Sequence, residues 1–315
     1  MKILFHDNAL SIRGTTVALF DYAYFCKIFF NIECEFIYNN NLVVNDNSVI
    51  DKFKSEFGDV VYSYSNKIEM EKIINSASPD IFFMIKNGHN DGVISHSCKN
   101  YILAVGSKIS KNDIHGDKYF VCSPFLSKVV GIDFVPHMIN LPEVDGDLRN
   151  ELNIPKDAIV FGRNGGYETF DLPFVKDVIK DILDIRSDYY FLFQNTERFI
   201  NHPRVLFLEP TPDMNFKVKF INTCDAHLHA REIGESFGLT CGEFSIKNKP
   251  VITWNGSFER NHIDILGEKS LLYNRYEDLM NLLLTFDKNK FNDWNCYRDY
   301  LPEPVMDKFK KLYNI

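Results

Sequence analysis

The sequence predicts an α/β chain made of two doubly wound, mainly parallel sheets. Three observations carry that reading. Short apolar runs rich in Val, Ile, Phe and Tyr alternate with amphipathic stretches along most of the 315 residues, and such alternation is the mark of parallel strands joined by crossover helices. The alternation breaks at residues 135–153, VPHMINLPEVDGDLRNELN, where two prolines precede a charged run. A second block of the same kind then begins. A chain of this length with 45% hydrophobic residues can bury a core in each of two domains. The boundaries read as 1–138 and 139–295, with a terminal segment 296–315.

In the first block, strands are expected at 2–5, 35–38, 60–64, 81–85, 101–105, 119–122 and 134–136. Residues 7–15 form a loop after the first strand. Arg13 and Gly14 then precede a helix that Thr15 or Thr16 caps, with Val17, Ala18, Phe20 and Tyr24 on its apolar side. Gly14 permits close approach of a ligand at the strand end. A further helix is expected over 69–76. The strand at 81–85 runs into KNGHNDG (86–92). Ligands of open α/β sheets bind beyond the carboxyl ends of strands, so His89 and Asp91 are candidate contacts, with a plain polar turn an equal reading. G-x-G-x-x-G is missing, so this is not a dinucleotide fingerprint.

In the second block, a short helix is expected over 148–152. A strand at 159–162 leads into Arg163 and the glycine loop Asn164-Gly165-Gly166. A helix follows over 172–185, capped by Asp171, with Pro173 tolerated in its first turn. Its apolar residues Phe174, Val175, Val178, Ile179, Ile182 and Leu183 recur at helical spacing. Strands at 189–193 and 205–208, a helix at 213–223, a strand at 270–273 and helices at 276–286 and 303–313 complete the order.

The densest chemistry lies at residues 223–254, TCDAHLHAREIGESFGLTCGEFSIKNKPVITW. A strand at 226–230 ends before Arg231, Glu232 and Gly234. Ser236 and Gly238 are helix start signals. Leu239, Phe244 and Ile246 line the helix, Asn248 and Lys249 stop it, and Pro250 opens the next strand. Glu235 and Glu243 have seven residues between them. Eight helical residues span about 12 Å, roughly the reach of a sugar joined through a diphosphate to a ribose. The helix N-terminus between the two carboxylates offers free N–H groups and a positive dipole end, which suits a phosphate.

This stretch resembles the donor-binding motif of retaining glycosyltransferases of the two-Rossmann-domain (GT-B) type, especially family four. Glu235, Phe237-Gly238-Leu239 and Glu243 match E-x7-E with its internal Phe-Gly-Leu run without gaps, and Asp225 falls where the family usually has an Asp. Arg231-Glu232 stand where the family often has Pro-Ser, and Ser236 where it often has Gly. The resemblance implies a GT-B architecture: two Rossmann-like domains with a cleft between them and a C-terminal helix, 296–315, crossing back to the first. It implies a nucleotide-diphosphate sugar donor held by the second domain and a glycan, lipid or other acceptor held by the first.

On that resemblance, Glu243 holds the ribose hydroxyls, Glu235 contacts the transferred sugar, and Arg163 binds the diphosphate together with the amides around Phe237, Gly238 and Leu239. Ser236, Gly165, Arg231, His229 and Gly14 complete the donor side, and His89 and Asp91 fall on the acceptor side. The family often has a lysine a few residues after the arginine. Residues 167–171 contain none, so Arg231 or Lys217 would supply the second cation. The implied activity is hexosyl transfer with retention, without cofactor or divalent metal. Two other classes stay open: another GT-B enzyme, such as a sugar-nucleotide epimerase or a phosphorylase-like protein, and a non-catalytic nucleotide-sugar binding module.

The remaining features exclude more than they add. The net charge of −8 argues against a broad nucleic-acid footprint. Seven scattered cysteines without a C-x-x-C pair argue against a disulfide framework or a structural zinc site and fit a reducing cytoplasm. Cys224 and Cys241 read as packing residues. His227 and His229 share a strand face, but no third ligand has convincing spacing, so no metal site is predicted. No run approaches the ~18 apolar residues of a membrane span. MKILFHD leads straight into a strand, so no signal peptide is expected. Walker and G-x-S-x-G sequences are missing as well.

Overall fold

A computed structural model describes residues 1–290 and 293–315. The chain falls into two compact units, Met1–Met138 with Tyr300–Ile315, and Ile139–Asp299.

The first unit is built on β1 (Lys2–Asp7), α1 (Gly14–Phe30), β2 (Glu33–Asn39), α2 (Asn47–Phe57), β3 (Val61–Tyr64), α3 (Lys67–Ala77), β4 (Ile81–Lys86), β5 (Lys99–Ala104), β6 (Lys118–Val121) and α4 (Pro124–Val130). The sheet order is β3-β2-β1-β4-β5-β6, parallel throughout. Every residue of β4 is buried, as expected for a central strand covered on both faces.

The second unit holds β7 (Ile159–Asn164), α5 (Pro173–Ile185), β8 (Tyr189–Gln194), β9 (Val205–Leu208), α6 (Met214–Thr223), β10 (Ala226–His229), β11 (Gly234–Glu235), α7 (Leu239–Ile246), β12 (Val251–Trp254), β13 (Glu259–Arg260), α8 (Asn261–Leu266), β14 (Leu271–Tyr273) and α9 (Tyr276–Leu284). Its sheet order is β14-β12-β10-β7-β8-β9, again parallel, and β11 and β13 form a separate parallel pair. The predicted apolar stripe of α5 is the buried one, at Val175, Val178, Ile179, Ile182 and Leu183.

The last helix, α10 (Pro302–Tyr313), completes the first unit. Phe309 stacks on Tyr22 with ring centroids 5.0 Å apart, and the Tyr313 hydroxyl donates to the Ile102 carbonyl at 3.2 Å. Full burial of each ring contributes about 2 kcal/mol, enough to hold a twelve-residue amphipathic helix that would be marginal alone.

Several local expectations are corrected. Residues 134–136 form no strand; Phe134 makes a single bridge to Val121. Residues 148–152 are turns rather than a helix. Neither Thr15 nor Thr16 caps α1, whose N-cap is Arg13 with no side-chain cap bond. The Thr16 hydroxyl is used instead on Asp7 and the Ala9 carbonyl. Asp171 does not cap α5; it accepts from the Glu232 amide, and Leu172 takes the N-cap position. Helices α2, α4 and α8 were not expected from the sequence. Among the described residues no helix is long and apolar enough to cross a membrane.

Candidate functional site

In the second unit the strand order reverses between β7 and β10. Such a switch point is where open α/β sheets bind ligands, beyond the carboxyl ends of the strands. Arg163 is the penultimate residue of β7, inside the strand rather than after it, and His229 ends β10.

Arg163 is 4% exposed. Its Nη1 donates to the Asn195 carbonyl at 3.1 Å and to Thr196 Oγ1, and its Nη2 to the Gly166 carbonyl at 2.8 Å and Thr169 Oγ1 at 2.6 Å. These acceptors are all neutral, and among the described residues no ion pair includes Arg163. Burial lowers its guanidinium to about 10, so it stays cationic at neutral pH. Gly165 is glycine for a steric reason: a Cβ there would lie 2.8 Å from Arg163 Nη2. The predicted glycine loop is thus folded around a buried cation.

Glu235 lies on β11, a two-residue strand that follows β10. The β11·β13 pair sets it opposite Arg260, and Gly234, at φ +84°, lets that pair form where a Cβ would strike the Glu259 carbonyl. Glu235 Oε1 is 3.2 Å from His229 Nε2, and Oε2 accepts from Arg231 Nη1 at 3.1 Å. A quarter of its side chain is exposed. Burial pushes this carboxyl up, but the hydrogen bond from His229 and the charge of Arg231 outweigh it and hold the group at about 2. The fold therefore gathers Glu235, His229 and Arg231 into one cluster.

From His229 the hydrogen bonds continue inward. Its Nδ1 is 2.9 Å from Thr253 Oγ1, which is also 2.9 Å from His262 Nε2. His227 stands apart from this chain. Its Nδ1 faces the Gly162 carbonyl at 3.0 Å and its ring stacks on Phe244 at 4.5 Å. Burial takes His227 down to about 3, so it is a neutral packing residue.

Gly238 is the N-cap of α7 at φ +92°, a left-handed conformation that glycine adopts freely. Ser236 and Leu239 are half-buried and Phe237 is buried. The Phe237 carbonyl accepts from Asn261 Nδ2 at 2.9 Å, which pins the entry to the helix. Glu243 is buried on α7 and accepts from Lys217 Nζ, on α6, at 2.8 Å. Asp225 serves the sheet: its Oδ2 accepts from Arg149 Nη2 at 3.0 Å and from the Val160 amide at 2.8 Å.

Gly14, His89 and Asp91 belong to the first unit. Gly14 is the exposed first residue of α1. His89 Nδ1 is 3.1 Å from Asp113 Oδ1, and Asp91 accepts from Lys86 Nζ at 2.6 Å. The Asp91 contact staples its own loop to β4. At the end of β1, buried Asp7 is pushed up to about 6 by burial and accepts from Thr16 Oγ1 at 2.9 Å. Sequence reasoning missed Asp7, Thr253 and His262. None of the three stands in a motif, and α8, which carries His262, was not expected at all. Among the described residues no group of His, Cys, Asp and Glu is arranged to hold a metal ion.

No protein-family model and no curated protein matches the chain. Solved structures do. Anabaena HepE, crystallised with UDP and glucose, aligns at a TM-score of 0.72 and 12% identity over 100% of this chain and 99% of its own. A glycosyltransferase from Rickettsia africae aligns at 0.69 and 15% identity, over 99% and 97%. A Listeria monocytogenes protein assigned as a UDP-N-acetylglucosamine 2-epimerase aligns at 0.62 and 11% identity, over 99% and 96%. At such identities the likeness is one of fold: with its two parallel six-stranded sheets, the chain has the GT-B fold.

Proposed function

We propose that the chain transfers a sugar from a nucleoside-diphosphate sugar to an acceptor, with retention at the anomeric carbon. The observation that carries this reading is Arg163: a buried cation with only neutral hydrogen-bond partners, set at the switch point of the second unit. Bond cleavage puts negative charge on the departing diphosphate. A preorganised cation and the first-turn amides of α7 stabilise that charge more in the transition state than in the ground state.

Glu243 takes the ribose hydroxyls and Glu235, fixed by His229 and Arg231, takes hydroxyls of the transferred hexose. Gly165 keeps the backbone low beside the diphosphate. The second cation is Arg231 or Lys217, each already neutralised by one of the two motif carboxylates, so Arg163 supplies the larger share of uncompensated positive charge. The first unit, with His89 and Asp91, is the acceptor side, while Gly14 keeps the donor-side role that the resemblance gives it. The structure of HepE with UDP and glucose supports a uridine nucleotide as the first donor to try. No divalent metal or cofactor enters this scheme.

A second reading, sugar-nucleotide epimerisation, is favoured by the likeness to the Listeria protein. One experiment separates them. The protein is screened by thermal shift against UDP, GDP, ADP and their sugars, since a specific ligand raises the melting temperature by mass action. The stabilising sugar nucleotide is then incubated with and without a panel of acceptors. Nucleotide release that depends on acceptor supports transfer. Conversion to an isomeric sugar nucleotide without acceptor supports the epimerase reading, and stabilisation by none of the nucleotides removes both.

A further inference from the structure

Glu235, His229, Thr253 and His262 form one continuous hydrogen-bonded chain that runs from the quarter-exposed carboxylate into the core. The links are 3.2, 2.9 and 2.9 Å. Thr253, on β12, and His262, on α8, are fully buried. The E-x7-E stretch contains neither residue.

The chain has a direction, set by counting protons. An ionised carboxylate only accepts, so His229 Nε2 carries the hydrogen that faces Glu235. With a neutral imidazole, His229 Nδ1 is then an acceptor, and the Thr253 hydroxyl must donate to it. The Thr253 oxygen in turn accepts from His262 Nε2–H. That leaves His262 Nδ1 as a bare lone pair, and of the four ring nitrogens of His229 and His262 it is the one with no hydrogen-bond partner among the described residues. A hydroxyl has a single proton to give. Thr253 therefore serves one imidazole at a time, and His262 decides which. Burial keeps His262 well below the ordinary histidine range, so the inner end of the chain remains a neutral donor.

The packing supports a fixed arrangement. The His229 and His262 rings lie 4.6 Å apart. Gly238, the N-cap of α7, leaves the space that lets α8 come this close, since a Cβ on it would meet His262 Cβ at 2.8 Å. One glycine thus serves both the start of α7 and the seat of His262.

We propose that Thr253, held by His262, is a positioning residue for the sugar side of the donor site. Its hydroxyl locks His229 in the Nε2–H tautomer and aims it at Glu235 Oε1, so that with Arg231 on Oε2 the carboxylate keeps one orientation and its remaining lone pairs are set for the hexose hydroxyls. This rests on the role given to Glu235 above.

The test uses the full chain with 15N-labelled histidine, and UDP and UDP-glucose as probes. Thr253→Val keeps the shape and removes the hydroxyl, and Thr253→Ser restores it. The wild-type imidazole spectrum should show His229 and His262 as single Nε2–H tautomers. Thr253→Val should disturb both rings, and Thr253→Ser should return them. Thr253→Val should weaken UDP-glucose binding about 3- to 10-fold, the worth of one hydrogen bond, with UDP binding unchanged. His262→Gln, which keeps the hydroxyl but removes its imidazole donor, is the second variant should Thr253→Val not fold, and it should disturb the His229 signals in the same way. Unaltered His229 signals in these variants overturn the proposal, and so does an equal loss for UDP and UDP-glucose. A wild-type protein that binds neither probe would bring down the donor reading, and the sugar-side role with it, while the spectra still decide the chain itself.

Discussion

Lys217 Nζ lies 2.8 Å from Glu243 Oε1, tying α6 to α7 with both side chains largely out of solvent. The carboxylate matched to ribose binding is therefore also half of a structural ion pair. Its removal leaves a lysine charge with little solvent and no partner, and breaking such a pair costs more than the pair is worth.

Glu243→Ala should destabilise the fold by about 3 kcal/mol and weaken binding of the preferred nucleoside diphosphate by about 1–3 kcal/mol. Lys217→Ala combined with Glu243→Ala should recover much of the stability and none of the binding. Urea unfolding and titration calorimetry on the two single variants and the double variant check this. A double variant that binds like wild type would remove Glu243 from the site.

Glu235 separates sugar from nucleotide. Glu235→Ala should bind the bare nucleoside diphosphate within about 2-fold of wild type and the sugar nucleotide about 10-fold or more weakly, as expected when hydrogen bonds to a charged group are lost. Competition calorimetry with the two ligands reads the ratio. Equal losses would show that Glu235 touches the nucleotide or only shapes the loop.

Arg163→Ala has two expected effects with different origins. The Asn195 carbonyl loses its Arg163 donor and the Gly166 carbonyl keeps only its bonds from Thr169, so the glycine loop should loosen and the melting temperature should drop. Turnover of the donor should fall by about 10²-fold or more, the scale for losing one preorganised donor. Arg163→Lys should restore part of the charge but not the four-armed hydrogen bonding, because an ammonium cannot reproduce the guanidinium fork. Near-normal kcat in Arg163→Ala would end the diphosphate role and leave only the structural one.

The acid side of the stability curve should be steep. Burial lowers His6 and His227 to about 3, His137 to about 4, and His262 well below the ordinary value of 6.5. A group with a depressed folded value contributes stability above its unfolded value and loses it as pH falls. Asp7, raised from 3.8 to about 6 by burial, acts in the opposite sense: its contribution is full below its unfolded value and disappears as pH rises through its folded one. Four histidines outweigh one aspartate, so the urea midpoint should drop steadily from about pH 7 to about pH 4. A flat profile over that range would contradict the neutral, buried state of these imidazoles.

Much of the architecture was legible because it is written in local periodicity. Each central strand of both sheets was expected within two residues of its ends, and α5, α6 and α10 were expected within about one residue of theirs. Helix α2 was not expected, although NSVIDKFKSEF sets Val49, Ile50 and Phe53 on one buried face and Asp46 caps it. The cap assignments at Thr15, Thr16 and Asp171 failed because side-chain oxygens choose among all nearby donors, and the tertiary fold offered better ones.

The sequence by itself determined where the candidate chemistry lies. Glu235, the glycine start of α7 and Glu243 are near neighbours in the chain, and so are Arg163, Gly165 and Gly166, so local rules of helix rise, backbone freedom and strand ends suffice to arrange each group within itself. Only the tertiary structure decided what each of these groups touches. Lys217 meets Glu243 across 26 residues, Thr253 meets His229 across 24, and Arg163 reaches Thr196 across 33. Such pairings depend on which strands lie side by side and how far each helix is offset, and those are settled by the burial of whole sheet faces at once, a quantity that no short stretch of chain contains.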